Sequence, residues 1–244
     1  DLKTPLTLIL SPLQRLIQQP QISNNDKEKL EVIYRNANRM NYLINELLTF
    51  SKIEMKQMRI SVRKGDIMHF LEELSHIFDI VAGEREIDFI VNLEDTEEEV
   101  WFSPSKLERI LYNLLSNAFK YTQPGGYVKL SAKLIKEEKE TFVQISVKDN
   151  GRGIPKEAQE QIFESYYQVE KRDHREGFGL GLSLTRSLIH MHKGEIRVES
   201  EINKGSDFIV TLNVSEDAYN PDERSSENIT TEEIQKYNQR IKET

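Results

Sequence analysis

The sequence predicts an α+β protein: an N-terminal two-helix hairpin, then an α/β sandwich with a mixed, largely antiparallel sheet and helices on one face. Three observations predict it. Glycine is absent before Gly65 and then concentrated, with seven of the 11 glycines between Gly125 and Gly181. Over residues 1–57 apolar side chains recur at alternating steps of three and four, the period of a packed helix. Beyond residue 58 short β-prone runs alternate with amphipathic helical runs, as in a layer of helices on a sheet.

In the first helix, Leu6, Ile9, Leu13 and Leu16 form the apolar stripe. Pro20–Asn25 breaks the pattern, and Leu30, Ile33, Ala37, Met40, Ile44 and Leu47 resume it with coiled-coil spacing. Two helices alone bury little surface. Either a second copy completes a four-helix bundle, or the hairpin packs on the rest of its own chain. Pro5 and Pro12 fall inside the first stripe, where an interior proline removes an amide donor and crowds the preceding turn.

Strands are expected at Arg59–Arg63, Ile87–Leu93, Glu99–Phe102, Tyr127–Ile135, Phe142–Lys148, Glu195–Glu199 and Phe208–Val214. Helices are expected at Ile67–Val81, Pro104–Tyr121, Lys156–Phe163 and Leu180–His192. The domain boundaries read as 1–57 for the hairpin, 58–214 for the sandwich and 215–244 for an acidic tail or linker with one weak helical stretch, Thr231–Lys242.

Composition narrows the function. The 244 residues contain no cysteine, which excludes a disulfide scaffold and thiol chemistry. The net charge is −8, and residues 215–244, with eight acidic and four basic side chains, supply half of it. Such a balance argues against nucleic acid, whose binding requires phosphate neutralisation by Lys and Arg. No apolar run reaches the length of a membrane span, so no direct membrane contact is expected of this portion.

Four segments carry candidate chemistry. The helix P-S-K-L-E-R-I-L-Y-N-L-L-S-N-A-F-K-Y puts Leu107, Leu111, Leu114, Leu115 and Ala118 on one arc, with Asn113 and Asn117 stacked on another. Stacked carboxamides can ligate a hard cation through oxygen, and Lys120 one turn on can meet phosphate; a plain solvent-facing polar side is the alternative. Asp149-Asn-Gly-Arg-Gly-Ile154 follows an apolar strand. It reads either as a simple turn or as a buried carboxylate beside backbone that can approach a flat ligand. Gly177-Phe-Gly-Leu-Gly-Leu182 opens a helix, where amide donors and the helix dipole suit an anion. Between them lies the polar stretch Glu164–Glu176 with Lys171, Arg172, His174 and Arg175, either a basic lid or a solvated charge run.

The order and conjunction of these segments resemble the N box, G1 box, lid with F box, and G2 box of the ATPase family that groups gyrase, heat-shock chaperones, mismatch-repair proteins and sensor histidine kinases. N-L-L-S-N-A-F-K-Y, F-E-S-Y-Y-Q and G-F-G-L-G-L-S-L resemble the histidine-kinase branch. At the chain start, D-L-K-T-P-L-T-L looks like the H box, whose phosphoacceptor histidine would stand just before Asp1. The resemblance covers roughly residues 1–214.

The resemblance implies ATP and Mg²⁺ as ligands. It assigns Asn117 as main magnesium ligand with Asn113 beside it, Lys120 to the phosphates, Tyr121 to the sugar or base, and Asp149 to the adenine amine. Gly151, Gly153 and Ile154 would shape the pocket floor. Phe163 and Tyr167 would anchor the lid that carries Arg172. Gly177, Gly179, Gly181 and Leu182 would offer a hinged backbone to the phosphates, and Ser206, in the G3-like K-G-S-D-F, would lie near the base. Asp1 would orient the acceptor imidazole and draw its proton. Thr4 would place water for dephosphorylating the partner. The implied function is an ATP-dependent protein histidine kinase core of a two-component system, passing phosphate from histidine to an aspartate of a response-regulator receiver, with phosphatase activity as a second capacity. It implies a homodimer through the hairpin and a cytoplasmic setting, as the inner portion of a membrane-anchored sensor. As given, without the acceptor histidine, the chain is expected not to autophosphorylate. A catalytically silent dimeric nucleotide-binding scaffold is the alternative.

Overall fold

The computed structural model describes residues 3–17, 19, 22–55, 57–96, 98–169, 179–230 and 232–234. Helices α1 (Lys3–Ile17) and α2 (Asn24–Glu54) form the hairpin. Ser23 caps α2, its hydroxyl accepting from the Asp26 amide at 3.2 Å. Along the hairpin Ile9, Leu16, Ile33, Met40 and Leu47 are between 39% and 55% exposed, so much of the apolar stripe is uncovered within one chain.

The second part contains β1 (Arg63–Asp66), α3 (Ile67–Ser75), α4 (Ile77–Arg85), β2 (Asp88–Leu93), β3 (Glu99–Phe102), α5 (Pro104–Tyr121), β4 (Tyr127–Lys136), β5 (Thr141–Asp149), α6 (Gly181–Met191), β6 (Glu195–Glu201) and β7 (Gly205–Asn213). Five strands form one mixed sheet in the order β2-β4-β5-β7-β6, parallel only between β2 and β4. β1 and β3 pair as a separate antiparallel ribbon. Phe70, Leu107, Leu111, Leu115, Phe119, Val128, Leu130, Ile145 and Val210 belong to one core between the sheet and its helices.

Strand phase positions the site. In β5, Val143, Ile145 and Val147 are buried while Lys148 is exposed. Asp149 continues the buried phase, so the period of two carries its carboxylate to the helix side of the sheet. The β5–β7 register then sets Asp149 opposite Ser206.

Several elements differ from the sequence reading. The expected strand Arg59–Arg63 is instead an extended lead-in with Ile60 and Val62 buried; the strand itself is Arg63–Asp66. The single helix expected at Ile67–Val81 breaks at His76, where the Ser75 hydroxyl bonds back to Glu72 O at 2.7 Å and competes with the backbone ladder. Lys156–Phe163 forms two short 3₁₀ turns, Lys156–Ala158 and Gln161–Phe163, not one helix.

The segment after 214 packs on the domain, where a linker or tail is expected. Val62 pairs in parallel with Arg224, and Arg63 donates to both carboxylate oxygens of Glu233 at 2.6 and 3.1 Å. Tyr219, Ile229 and Ile234 are buried. Their irregular spacing matches neither a helical nor a strand period, so the sequence gives no sign of it. Of the expected helix Thr231–Lys242, Glu232–Ile234 is helical and the rest lies outside the described residues.

Candidate functional site

Three elements converge: the C-terminal half of α5, the turn after β5 and the start of α6. Asn113 and Asn117 lie one turn apart on α5 but play different parts. The Asn113 carboxamide donates to the Thr185 hydroxyl of α6 at 2.7 Å. It also lies against Gly181, where a Cβ would come within 2.6 Å of its oxygen. A side chain at 181 would therefore push the Asn113 carboxamide aside. The half-buried Asn117 carboxamide has no hydrogen-bond partner among the described residues. The bond to Thr185 uses the Asn113 nitrogen, so the oxygens of both Asn113 and Asn117, the atoms that would meet a metal, have no hydrogen-bond partner among the described residues. Among the described residues no group of three or more His, Asp or Glu side chains is placed to hold a metal.

Asp149 is 5% exposed at the end of β5. Burial pushes its carboxyl up, partly offset by the amides of Gly151 and Ser206. The Gly151 amide donates to Asp149 Oδ1 at 2.8 Å and fixes the carboxylate's orientation. Gly153 turns the chain with φ of 70° over the backbone of Glu201, where a side chain has no room. Ile154 follows, its amide bonded to Ser200 Oγ at 2.8 Å, and Ser200 in turn bonds Ser206 at 2.9 Å.

At the end of α5, Lys120 Nζ donates to the Tyr121 hydroxyl at 3.0 Å. The Arg152 guanidinium stands 4.3 Å from the Tyr121 ring centroid, a cation–π contact. Arg152, flanked by two glycines in a turn, gives no periodic signal in the sequence. Thr185, His192 and Ser103 carry no signal in the sequence either, because their hydrogen bonds join residues 72 and 89 positions apart.

Phe163 is buried against Phe208, centroids 6.4 Å apart, and Tyr167 packs on the core. The Tyr166 amide donates to Gly179 O at 2.9 Å, which brings residues 166 and 179 together. Leu182 packs on the core from the first turn of α6. Arg172 and Gly177 lie outside the described residues, as does Asp1; Thr4 lies on α1. Helix α2 reaches this region too: Arg109 of α5 donates to Thr49 Oγ1 at 2.8 Å, and Phe50 meets Tyr166 edge-on at 6.3 Å.

Residues 102–216 match the family model described as histidine kinase-, DNA gyrase B- and HSP90-like ATPase, and residues 1–56 match the His Kinase A (phospho-acceptor) domain. The chain belongs to the sensor histidine kinases. This histidine kinase core is 36% identical to histidine kinase P4 of Formosa agariphila over 217 residues, 87% of this chain and 16% of that protein. It is 33% identical to the sensor histidine kinase WalK of Bacillus subtilis, over 89% of this chain and 36% of WalK. The chain thus spans well under half the length of these relatives. The crystal structure of full-length ShkA in complex with AMPPNP superposes with a TM-score of 0.71 at 23% identity, covering 88% of this chain and 46% of that one, a likeness of fold. Among the described residues no helix of the histidine kinase core is long and apolar enough to cross a membrane.

Proposed function

We propose that this chain is the phosphotransfer core of a two-component signalling protein, binding Mg-ATP between α5, the turn after β5 and the start of α6. In this reading the γ-phosphoryl group passes to a hairpin histidine beside Asp1 and then to an aspartate of a receiver domain. One observation carries it: a buried carboxylate, Asp149, aimed by Gly151, in the same site as an Asn117 carboxamide with no hydrogen-bond partner among the described residues.

Asp149 accepts from the exocyclic amine of adenine, which distinguishes it from guanine. Asn117 would offer its oxygen to magnesium with the Asn113 oxygen beside it, while the Asn113 nitrogen clasps Thr185. Bound magnesium supplies positive charge against the phosphoryl oxygens. Lys120, steered by Tyr121, adds a second positive charge, and positioning does most of the catalysis. Asp1 draws the imidazole proton, and Thr4 places water for the reverse, phosphatase reaction. The uncovered stripe of Ile9, Leu16, Ile33, Met40 and Leu47 supports a homodimer.

Calorimetry with a non-hydrolysable ATP analogue, with and without Mg²⁺, tests the reading. Binding that Mg²⁺ strengthens and Asp149→Asn abolishes is expected. A wild-type chain that takes up no nucleotide defeats the proposal.

A further inference from the structure

The buried imidazole of His192 plays no part in the chemistry above, yet it is 0% exposed and its hydrogen bonds run across the fold. Its Nδ1 stands 2.9 Å from Leu188 O, and the Ser103 amide points at its Nε2 from 3.2 Å. A carbonyl only accepts and an amide N–H only donates. The ring is therefore neutral, protonated at Nδ1 and bare at Nε2. Ser103 is the N-cap of α5, and its own side chain makes no capping bond. His192 is the C-cap of α6.

Besides their packing in the shared core, the helices that carry the site are thus joined by two hydrogen bonds far apart along α5. Asn113 and Thr185 clasp them in the middle, and Ser103 and His192 tie the far end. From Ser103 to Asn113 is about 15 Å of helix. Core packing holds the two helices together but is non-directional, so one directional bond leaves a small tilt of α6, and of Gly181 against Asn113, least restrained. A second bond at this distance restrains that tilt. Other groups hold the imidazole's surroundings. Lys106 of α5 opposes a positive charge on it. The Tyr219 hydroxyl and the Asn213 amide reach the His192 carbonyl at 3.3 and 3.2 Å, and the Lys193–Glu223 ion pair lies beside Tyr219.

We propose that His192 is a positioning residue for the nucleotide site: by accepting the Ser103 amide it locks α5 to α6 in the spacing that ligand binding needs. The inference rests on the nucleotide-binding reading above.

Two substitutions separate the imidazole's bonds. In His192→Gln the amide oxygen reaches the Nε2 position and keeps the Ser103 tie. In His192→Asn the shorter chain serves only the Leu188 side. Both are tested for folding by thermal melt and for ATP-analogue affinity by calorimetry near neutral pH. His192→Gln is expected to bind within about twofold of wild type, and His192→Asn to lose roughly fivefold or more, the worth of one hydrogen bond. A folded His192→Asn that binds like wild type overturns the proposal. The unsubstituted chain gives an independent measurement: saturating nucleotide should slow hydrogen exchange at the Ser103 amide, and an exchange rate indifferent to nucleotide overturns the proposal as well. Failure of wild type to bind any nucleotide instead defeats the functional reading; nucleotide binding by wild type with these variants indifferent defeats the His192 role alone.

Discussion

The Asn113 carboxamide nitrogen donates to the Thr185 hydroxyl at 2.7 Å, which makes one of two stacked asparagines a helix clasp while its oxygen, like the Asn117 carboxamide, has no hydrogen-bond partner among the described residues. Thr185 is 1% exposed, and removing its hydroxyl takes the acceptor from the half-buried Asn113 amide. Thr185→Val should lower unfolding free energy by about 1–3 kcal/mol in urea denaturation.

Asn117→Ala should do the reverse. It breaks no hydrogen bond among the described residues, so the urea midpoint should move little. The Mg²⁺-dependent part of nucleotide affinity should fall about tenfold or more while the Mg²⁺-free part holds. Equal losses with and without metal would remove Asn117 from the metal site.

Burial raises the Asp149 carboxyl above the ordinary carboxylate range, against the Gly151 and Ser206 amides that pull it down. A carboxyl whose pKa is raised on folding adds stability only below its unfolded pKa and loses it as pH rises through the folded one. Asp149→Asn should therefore melt higher than wild type at neutral pH without ligand, and should bind no nucleotide. A variant that melts lower while still binding contradicts both halves of this account.

Burial lowers the His192 imidazole from the usual histidine value of 6.5 to about 4. A base depressed on folding is neutral in both states above the unfolded value. As pH falls from about 6.5 to 4 the unfolded chain takes up the proton first, and stability is lost. The loss approaches about 3 kcal/mol over that window. Urea denaturation across it should show this slope in wild type and a shallower one in His192→Gln.

Ending the chain at Val214 should destabilise the domain by roughly 3–5 kcal/mol, through loss of buried Tyr219, Ile229 and Ile234. Glu233→Gln alone should change little, because its pairing with Arg63 is partly solvated. A truncated chain with an unchanged melting temperature would return residues 215–234 to the status of a tail.

The sequence by itself determined what depends on local pattern. The hairpin follows from steps of three and four. The buried phase of Asp149 follows from alternation along β5, and the bounds of α5 from its apolar arc and the proline at its first turn. The glycine-rich turns were legible because few other residues tolerate those backbone angles. Tertiary structure alone decided which asparagine is engaged, that Ser103 meets His192, that the helix after Asp66 breaks at His76, and that the acidic end of the chain covers Val62 and Gly65. Hydrogen bonds and packing between residues 72, 89 or 170 positions apart leave no period in the chain, since each partner looks like an ordinary polar or apolar residue until folding brings the other to it.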